Sequence, residues 1–245
     1  MKKYTLAERM KKHENVSRIY LPSRTYTLAR CDGQSFSNYT KGLKKPYDED
    51  FMEAMDTAAI ALCKEAMGCK LAYVQSDEIS LVLTDFDEYQ TEAWFDNNLQ
   101  KIATISSSTV SVNFLAKRME QGFKKIAKFD ARYWSESDRN EVINNFLWRQ
   151  RDAIKNAKQS LGYSLFSDKQ LHKMNADEVV KKCLDEKGID FYLLNKGFTQ
   201  GRLIYKQETI TNGVVRNKWV SNPAPLFNET LGKDMLSSLI PKLND

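Results

Sequence analysis

No run of 18 apolar residues occurs anywhere in the sequence, so no membrane-spanning helix is expected. Cysteines are few (Cys31, Cys63, Cys69 and Cys183), none forms a CxxC pair, and both histidines, His13 and His172, are remote from them in sequence. That scarcity argues against a zinc centre and fits reduced structural thiols in a cytoplasmic compartment. The stretch MKKYTLAERMKKHENVSR lacks the apolar h-region and small-residue cleavage site of a secretory signal, and Glu8 and Glu14 speak against a transit peptide. There are no internal repeats, low-complexity tracts or obvious linkers. Charge of one sign is also modest: 37 Lys and Arg against 32 Asp and Glu leave +5, so the placement of charge matters more than its sum. Basic residues gather at 2–24, 41–45, 117–139 and 149–158.

What is present describes an ordinary globular chain, with 42% hydrophobic and 28% charged residues. At 245 residues it is long for one domain and short for two, which predicts one principal core with appended elements. RTYTLARC at 24–31 favours a strand, and DGQSFSNYTK leads from it toward a short helix. Over 49–66 Phe51, Met52, Met55, Ala58, Ala59, Leu62, Cys63 and Ala66 share one helical stripe, with Asp48 as N-cap and Gly68 as terminator. LAYVQSDEISLVL at 71–83 reads as a hairpin. Residues 91–120 read as helical although ISSSTVSV is a poor helix former alone, 129–134 as a strand and 138–161 as a helix. This order makes an α+β protein with a ferredoxin-like βαββαβ core and an antiparallel sheet. Beyond 165 a helix is expected over 175–187, followed by a hairpin turning at Asn212-Gly213. The expected division is 1–165 for the main body and 166–245 for an appendage packed on it.

The first strand and the hairpin, if neighbours in the sheet, bring Asp32 to face Asp77. Carboxylates held close repel unless protonated, paired with a base or bridged by a cation. With no histidine or cysteine beside them, these hard oxygens favour Mg²⁺ or Mn²⁺ and phosphate chemistry. Two such ions about 3.5 to 4 Å apart can activate an attacking oxygen and stabilise a leaving one. In DGQSFS, Gly33 allows close backbone approach, and the amides from Gly33 to Ser37 could cradle phosphate oxygens; Asp-Gly is also a common turn dipeptide. On the helix containing WRQRDAIKNAKQ, Arg151, Lys155 and Lys158 form a basic face opposite Val142, Phe146, Ala153, Ala157 and Leu161. Trp148 is assigned to core packing rather than to a base-stacking platform.

RCDGQSFSNYTKGLKKPYDEDF with YVQSDEISLVL, then FDAR and WRQRD, resembles the tRNA-His guanylyltransferase family and its Thg1-like relatives over residues 20 to 205. The resemblance implies a polymerase-palm-like catalytic domain that adds nucleotides to the 5′ end of tRNA, in the 3′ to 5′ direction, after activating that end with ATP. It implies two Mg²⁺ ions on Asp32, Asp77 and the Gly33 carbonyl, with Glu78 as a supporting third acid. Asp32, Gly33, Gln34, Ser35, Phe36 and Ser37, with Lys45, Ser76 and Asp77, would hold ATP, GTP or another nucleoside triphosphate. Arg132, Arg151, Lys155 and Lys158 would contact tRNA, where phosphate contacts become the favoured reading of the basic face. A homotetramer, as a dimer of dimers, is implied as well. The histidine-led motif that follows WRQ-x-D in enzymes adding guanosine to tRNA-His is replaced by Ile154–Gln159, and Gln34 and Ser37 stand where the eukaryotic branch has arginine and histidine. The expected function is therefore templated repair of 5′-truncated tRNA. Guanosine addition at position −1, a nucleotide cyclase and a noncatalytic tRNA-binding protein are the alternatives.

Overall fold

The computed structural model describes residues 4–211 and 214–243. In chain order its elements are α1 (Leu6–Asn15), β1 (Tyr26–Gly33), α2 (Phe36–Tyr39), α3 (Glu49–Glu65), β2 (Cys69–Gln75), β3 (Glu78–Thr84), α4 (Leu99–Glu120), β4 (Phe129–Glu136), α5 (Arg139–Leu165), α6 (Asp168–Leu171), α7 (Ala176–Lys187), α8 (Lys196–Thr199), β5 (Arg202–Thr211), β6 (Val214–Pro223) and α9 (Thr230–Leu239). The strands form one sheet in the order β4-β1-β3-β2-β5-β6, every neighbour antiparallel. The first four reproduce the ferredoxin-like arrangement expected from the sequence, and β5 and β6 extend it beyond β2. The Asn212-Gly213 turn lies outside the described residues. No helix among the described residues is long and apolar enough to cross a membrane.

Side chains alternate across a strand, so each sheet face has its own core. On one face Ala29, Cys31, Val74, Ile79 and Leu81 pack against α3 and α4. On the other Tyr26, Leu28, Tyr73 and Val82 pack against Val142, Phe146 and Ala153 of α5 and Phe227 and Leu236 of the C-terminal segment. The distal half of α5 carries a smaller apolar cluster with Val179, Val180 and Cys183 of α7. Two helices show how local chemistry yields to packing. Asp48 caps α3 as expected, accepting from the Phe51 amide at 2.8 Å. In α4, Thr104, Ser106 and Ser108 turn their hydroxyls back to carbonyls four residues earlier at 2.6 to 2.8 Å, while Ile102, Val110 and Phe114 supply the buried stripe. The helix begins at Leu99 rather than at 91, because Phe95, Asp96 and Asn97 are left-handed and Asn98 caps the first turn by accepting from the Lys101 amide.

Phe114 is the hub of an aromatic cluster under the first strand's end, with ring centroids 5.9 Å from Phe36, 5.5 Å from Tyr39, 5.7 Å from Phe51 and 5.4 Å from Phe129. Phe114→Ala should therefore lower unfolding free energy by about 3 to 5 kcal/mol in equilibrium urea denaturation. A loss below about 1 kcal/mol would show that the cluster collapses around the gap and does not brace the strand end.

Candidate active site

Register brings the acids together. Asp32 lies opposite Glu78 on β3 and opposite Asp130 on β4, and Asp77 occupies the two-residue turn between β2 and β3, where Ser76 is left-handed at φ 46°. Four carboxylates thus share one end of the sheet. Two of them have cations. Glu78 is buried and accepts two bonds from Arg149, Nε to Oε1 at 2.7 Å and Nη2 to Oε2 at 2.6 Å, while the Ser80 hydroxyl donates to Oε1 at 3.1 Å. Asp130 pairs with Arg132 at 3.2 Å on the surface. Among the described residues, Asp32 and Asp77 form no ion pair. Burial pushes the Asp77 carboxyl above its ordinary range, the Ser76 hydroxyl and its own amide partly hold it down, and the charges of Asp32 and Glu78 push it up again. Asp77 is thus held next to negative charge with nothing positive to relieve it.

The loop after β1 is shaped by Gly33. A Cβ there would come within 2.2 Å of the Phe36 ring, so only glycine lets that ring lie over the backbone. Phe36 itself is buried with centroids 4.9 Å from Tyr39 and 5.0 Å from Phe129, so its side chain serves the core and only its backbone remains for a ligand. Ser35 is left-handed at φ 58°, turning the chain into α2. Of the amides expected to cradle phosphate, that of Gln34 donates to the Lys128 carbonyl at 2.8 Å and is already used. Those of Ser35, Phe36 and Ser37 precede the first bonds of α2, from Asn38 to Ser35 and from Thr40 to Phe36.

Beside Ser76 a cavity of about 170 Å³ opens between the α2–α3 loop and α5. Its polar wall holds Lys44, Lys45 and Ser76, and its apolar wall includes Leu43, Met52 and Phe198. Deep in it lies Arg202, which donates to Asp56 at 2.5 Å and to the Gly197 carbonyl at 3.1 Å and has one buried Nη2 with no partner. No sequence motif pointed to Arg202, because its setting depends on β5 joining β2.

The remaining residues separate. Arg151 and Lys155 are exposed on α5, whereas Lys158 is engaged with Asp177 of α7 at 2.5 Å and Arg132 with Asp130. Trp148 does not belong to the core: it is 56% exposed, on the same side of α5 as Arg151 and Lys155. The interior places at that point go to Arg149 and Gln150, both buried. Gln150 donates to the carbonyls of Gln200 and Pro225 and accepts from the Phe227 amide at 2.7 Å, tying the C-terminal segment to α5. Neither residue is given a role by the WRQRD motif that contains both. The available signal was their position on the apolar stripe between Phe146 and Ala153, where a charged residue implies a buried partner.

Residues 7–136 match the model of a family described as tRNAHis guanylyltransferase. A solved bacterial tRNAHis guanylyltransferase (Thg1)-like protein in complex with ATP is 34% identical, with 97% of this chain and 99% of that one covered and a TM-score of 0.87. The GTP complex of a bacterial Thg1-like protein gives 33% identity, coverages of 96% and 98% and a TM-score of 0.83. A probable tRNA(His) guanylyltransferase of Drosophila melanogaster is 26% identical over 90% of this chain and 82% of its own.

A carboxyl whose folded pKa is raised binds its proton more tightly when folded, so its contribution to stability is kept at low pH and lost as pH rises through the folded pKa. Without divalent cations, Asp77→Asn should accordingly raise Tm near neutral pH, and the gain should vanish as pH falls below about 4, where the unfolded carboxyl is also protonated. Thermal unfolding across that range checks it; an unchanged or lower Tm at neutral pH would mean that Asp77 is not under charge stress.

Proposed function

Because this chain belongs to the tRNAHis guanylyltransferase (Thg1) family, we propose that it is a template-dependent 3′ to 5′ nucleotidyltransferase that activates the 5′ end of tRNA with ATP and repairs truncated 5′ ends. The observation that carries the reading is the pair of uncompensated carboxylates, Asp32 and Asp77, beside a cavity with lysines on one wall and apolar side chains on the other. In this reading the nucleoside of the triphosphate enters the cavity, Lys45 and Ser76 meet its phosphates, and the free amides of Ser35, Phe36 and Ser37 cap the phosphate tail. The tRNA 5′-phosphate attacks the α-phosphorus of ATP and releases pyrophosphate; the 3′-hydroxyl of an incoming nucleoside triphosphate then attacks the activated end and releases AMP.

Asp32, Asp77 and the Gly33 carbonyl form a set of hard oxygen donors that fits Mg²⁺, and the absence of a base beside the two carboxylates supports this assignment. Two bound ions would neutralise the triphosphate and favour the attacking oxygen. Glu78 lends its charge to Arg149 and so positions the turn rather than serving as a ligand. Arg151 and Lys155 offer a surface for tRNA phosphates. Residues 1–165 act as the palm-like unit and 166–245 as its appendage, contributing β5 and β6 to the same sheet. A cytoplasmic setting is supported by four buried free thiols. A homotetramer is supported by α1, which buries none of its residues yet exposes Leu6 and Met10. The loss of the histidine-led motif and of charge at Gln34 favours base choice by pairing with the opposite strand.

Given a tRNA lacking its first nucleotide, the protein should incorporate whichever nucleotide complements the opposite base, and Asp77→Ala should lower the rate more than about a hundredfold while tRNA affinity stays within about threefold. Incorporation of G regardless of the opposite base would replace repair with guanosine addition, and cyclic product from GTP alone would replace both. Lys155→Ala should weaken tRNA binding and reduce the slope of log affinity against log salt by about 0.7 to 0.9; an unchanged slope would remove Lys155 from the interface.

A further inference from the structure

The edge strand β4 and helix α5 leave an open groove of about 350 Å³ between them, with Leu28 and Trp134 on the sheet side and Asn144, Asn145 and Trp148 on the helix side. Trp148 stands out there. Its indole is 56% exposed, yet its orientation is constrained, because the Arg149 guanidinium lies 4.6 Å from the ring centroid while the same guanidinium grips Glu78. A flat aromatic face is thereby held one residue from the arginine that braces the acid cluster. On the sheet, side chains of one face recur every second residue, about 7 Å apart. From the acid end these rows read Asp32 with Glu78 and Asp130, then Arg30 with Ser80 and Arg132, then Leu28 with Val82 and Trp134. Arg30 and Arg132 lie directly opposite each other; Asp130 pairs with Arg132, whereas the Arg30 Nε is buried without a partner.

We propose that this groove is a nucleobase platform: Trp148 stacks an unpaired base at the acceptor end of the RNA substrate while the arginine row takes the phosphate between that base and the acids. The assignment rests on the nucleotidyltransferase reading of the site. Acids, then cations, then Trp134 follow in register along β1 and β4, with Trp148 facing that last row from α5, which matches the order of reacting end, phosphate and base in a nucleic-acid strand. Asn144 and Asn145 offer donors and acceptors to base edges, and Glu136 and Glu141, also in the groove, suit base amino groups and oppose phosphates. Stacking is indifferent to base identity, as a template-reading enzyme requires.

The test compares wild type, Trp148→Ala and Trp148→Phe in the full chain, with a 5′-truncated tRNA transcript as probe. Trp148→Ala should weaken transcript binding between about fivefold and a hundredfold, the range that stacking of one base supplies. It should leave MgATP affinity and molecular mass in solution unchanged, and Trp148→Phe should recover binding to within about threefold. Transcript binding at wild-type strength in Trp148→Ala, no recovery with phenylalanine, or a change in oligomeric mass would each overturn the platform, the last by giving the indole to another copy of the chain. A protein that binds the transcript through Trp148 but adds no nucleotide would refute the transferase reading and leave the platform standing; normal affinity and addition in Trp148→Ala would do the reverse.

Discussion

Arg149 reaching across from α5 to Glu78 is the contact on which the site's electrostatics turn. Three consecutive features, Asp32 at the end of β1, Asp77 in the turn and Glu78 at the start of β3, would place three negative charges at one sheet end. The bidentate guanidinium removes one of them from the account and, being buried, does so in a geometry that cannot drift far. Removing either partner alone would strand a buried charge at a cost of about 3 to 5 kcal/mol. With Glu78 occupied, the uncompensated charge belongs to Asp32 and Asp77, the latter next to Ser76 on the cavity wall. Asp152 accepts from the same Nη2 at 3.1 Å, and Trp148 lies against the guanidinium, so one arginine links the acids, the helix and the exposed indole.

The frame that holds this contact comes from two sources. Antiparallel pairing of β1 with both β3 and β4 sets which residues lie opposite Asp32, and a slip of one residue would turn every side chain to the other face. The aromatic cluster of Phe36, Tyr39, Phe51, Phe114 and Phe129 then fixes the loop that leaves β1, with the Phe36 ring occupying the space that any side chain at position 33 would need. A rigid apolar support thus lies under the backbone of the loop that follows β1.

Much of this was legible in the residues. Alternation and the 3.6 period were enough for the βαββαβ order, and the spacing of DGQSFS and QSDE around two strands brought Asp32 and Asp77 to one end. Long-range side-chain pairing was not. Nothing local to Glu78 says that it meets an arginine 71 positions away, and nothing around Arg202 says that Asp56 and Gly197 will receive it. Trp148 was misplaced for the complementary reason: large aromatics usually fill cores, but on α5 the interior positions beside it were claimed by Arg149 and Gln150, whose partners lie on β3 and in the C-terminal segment. The early start expected for α4 failed at a run of three left-handed residues, Phe95 to Asn97, where Asn97 and Leu99 are tied by backbone bonds to Leu21 and Ile19.

The proposed division of labour among neighbouring acids keeps Asp32 and Asp77 for a cation, while Arg149 holds Glu78 away from it. Anomalous diffraction from crystals grown with Mn²⁺ and a nonhydrolysable ATP analogue tests this directly. A peak bridging the carboxylates of Asp32 and Asp77, with Glu78 still bound to Arg149, is the predicted result; a metal ligated by Glu78, or density that leaves Asp32 and Asp77 without a shared ion, would contradict it.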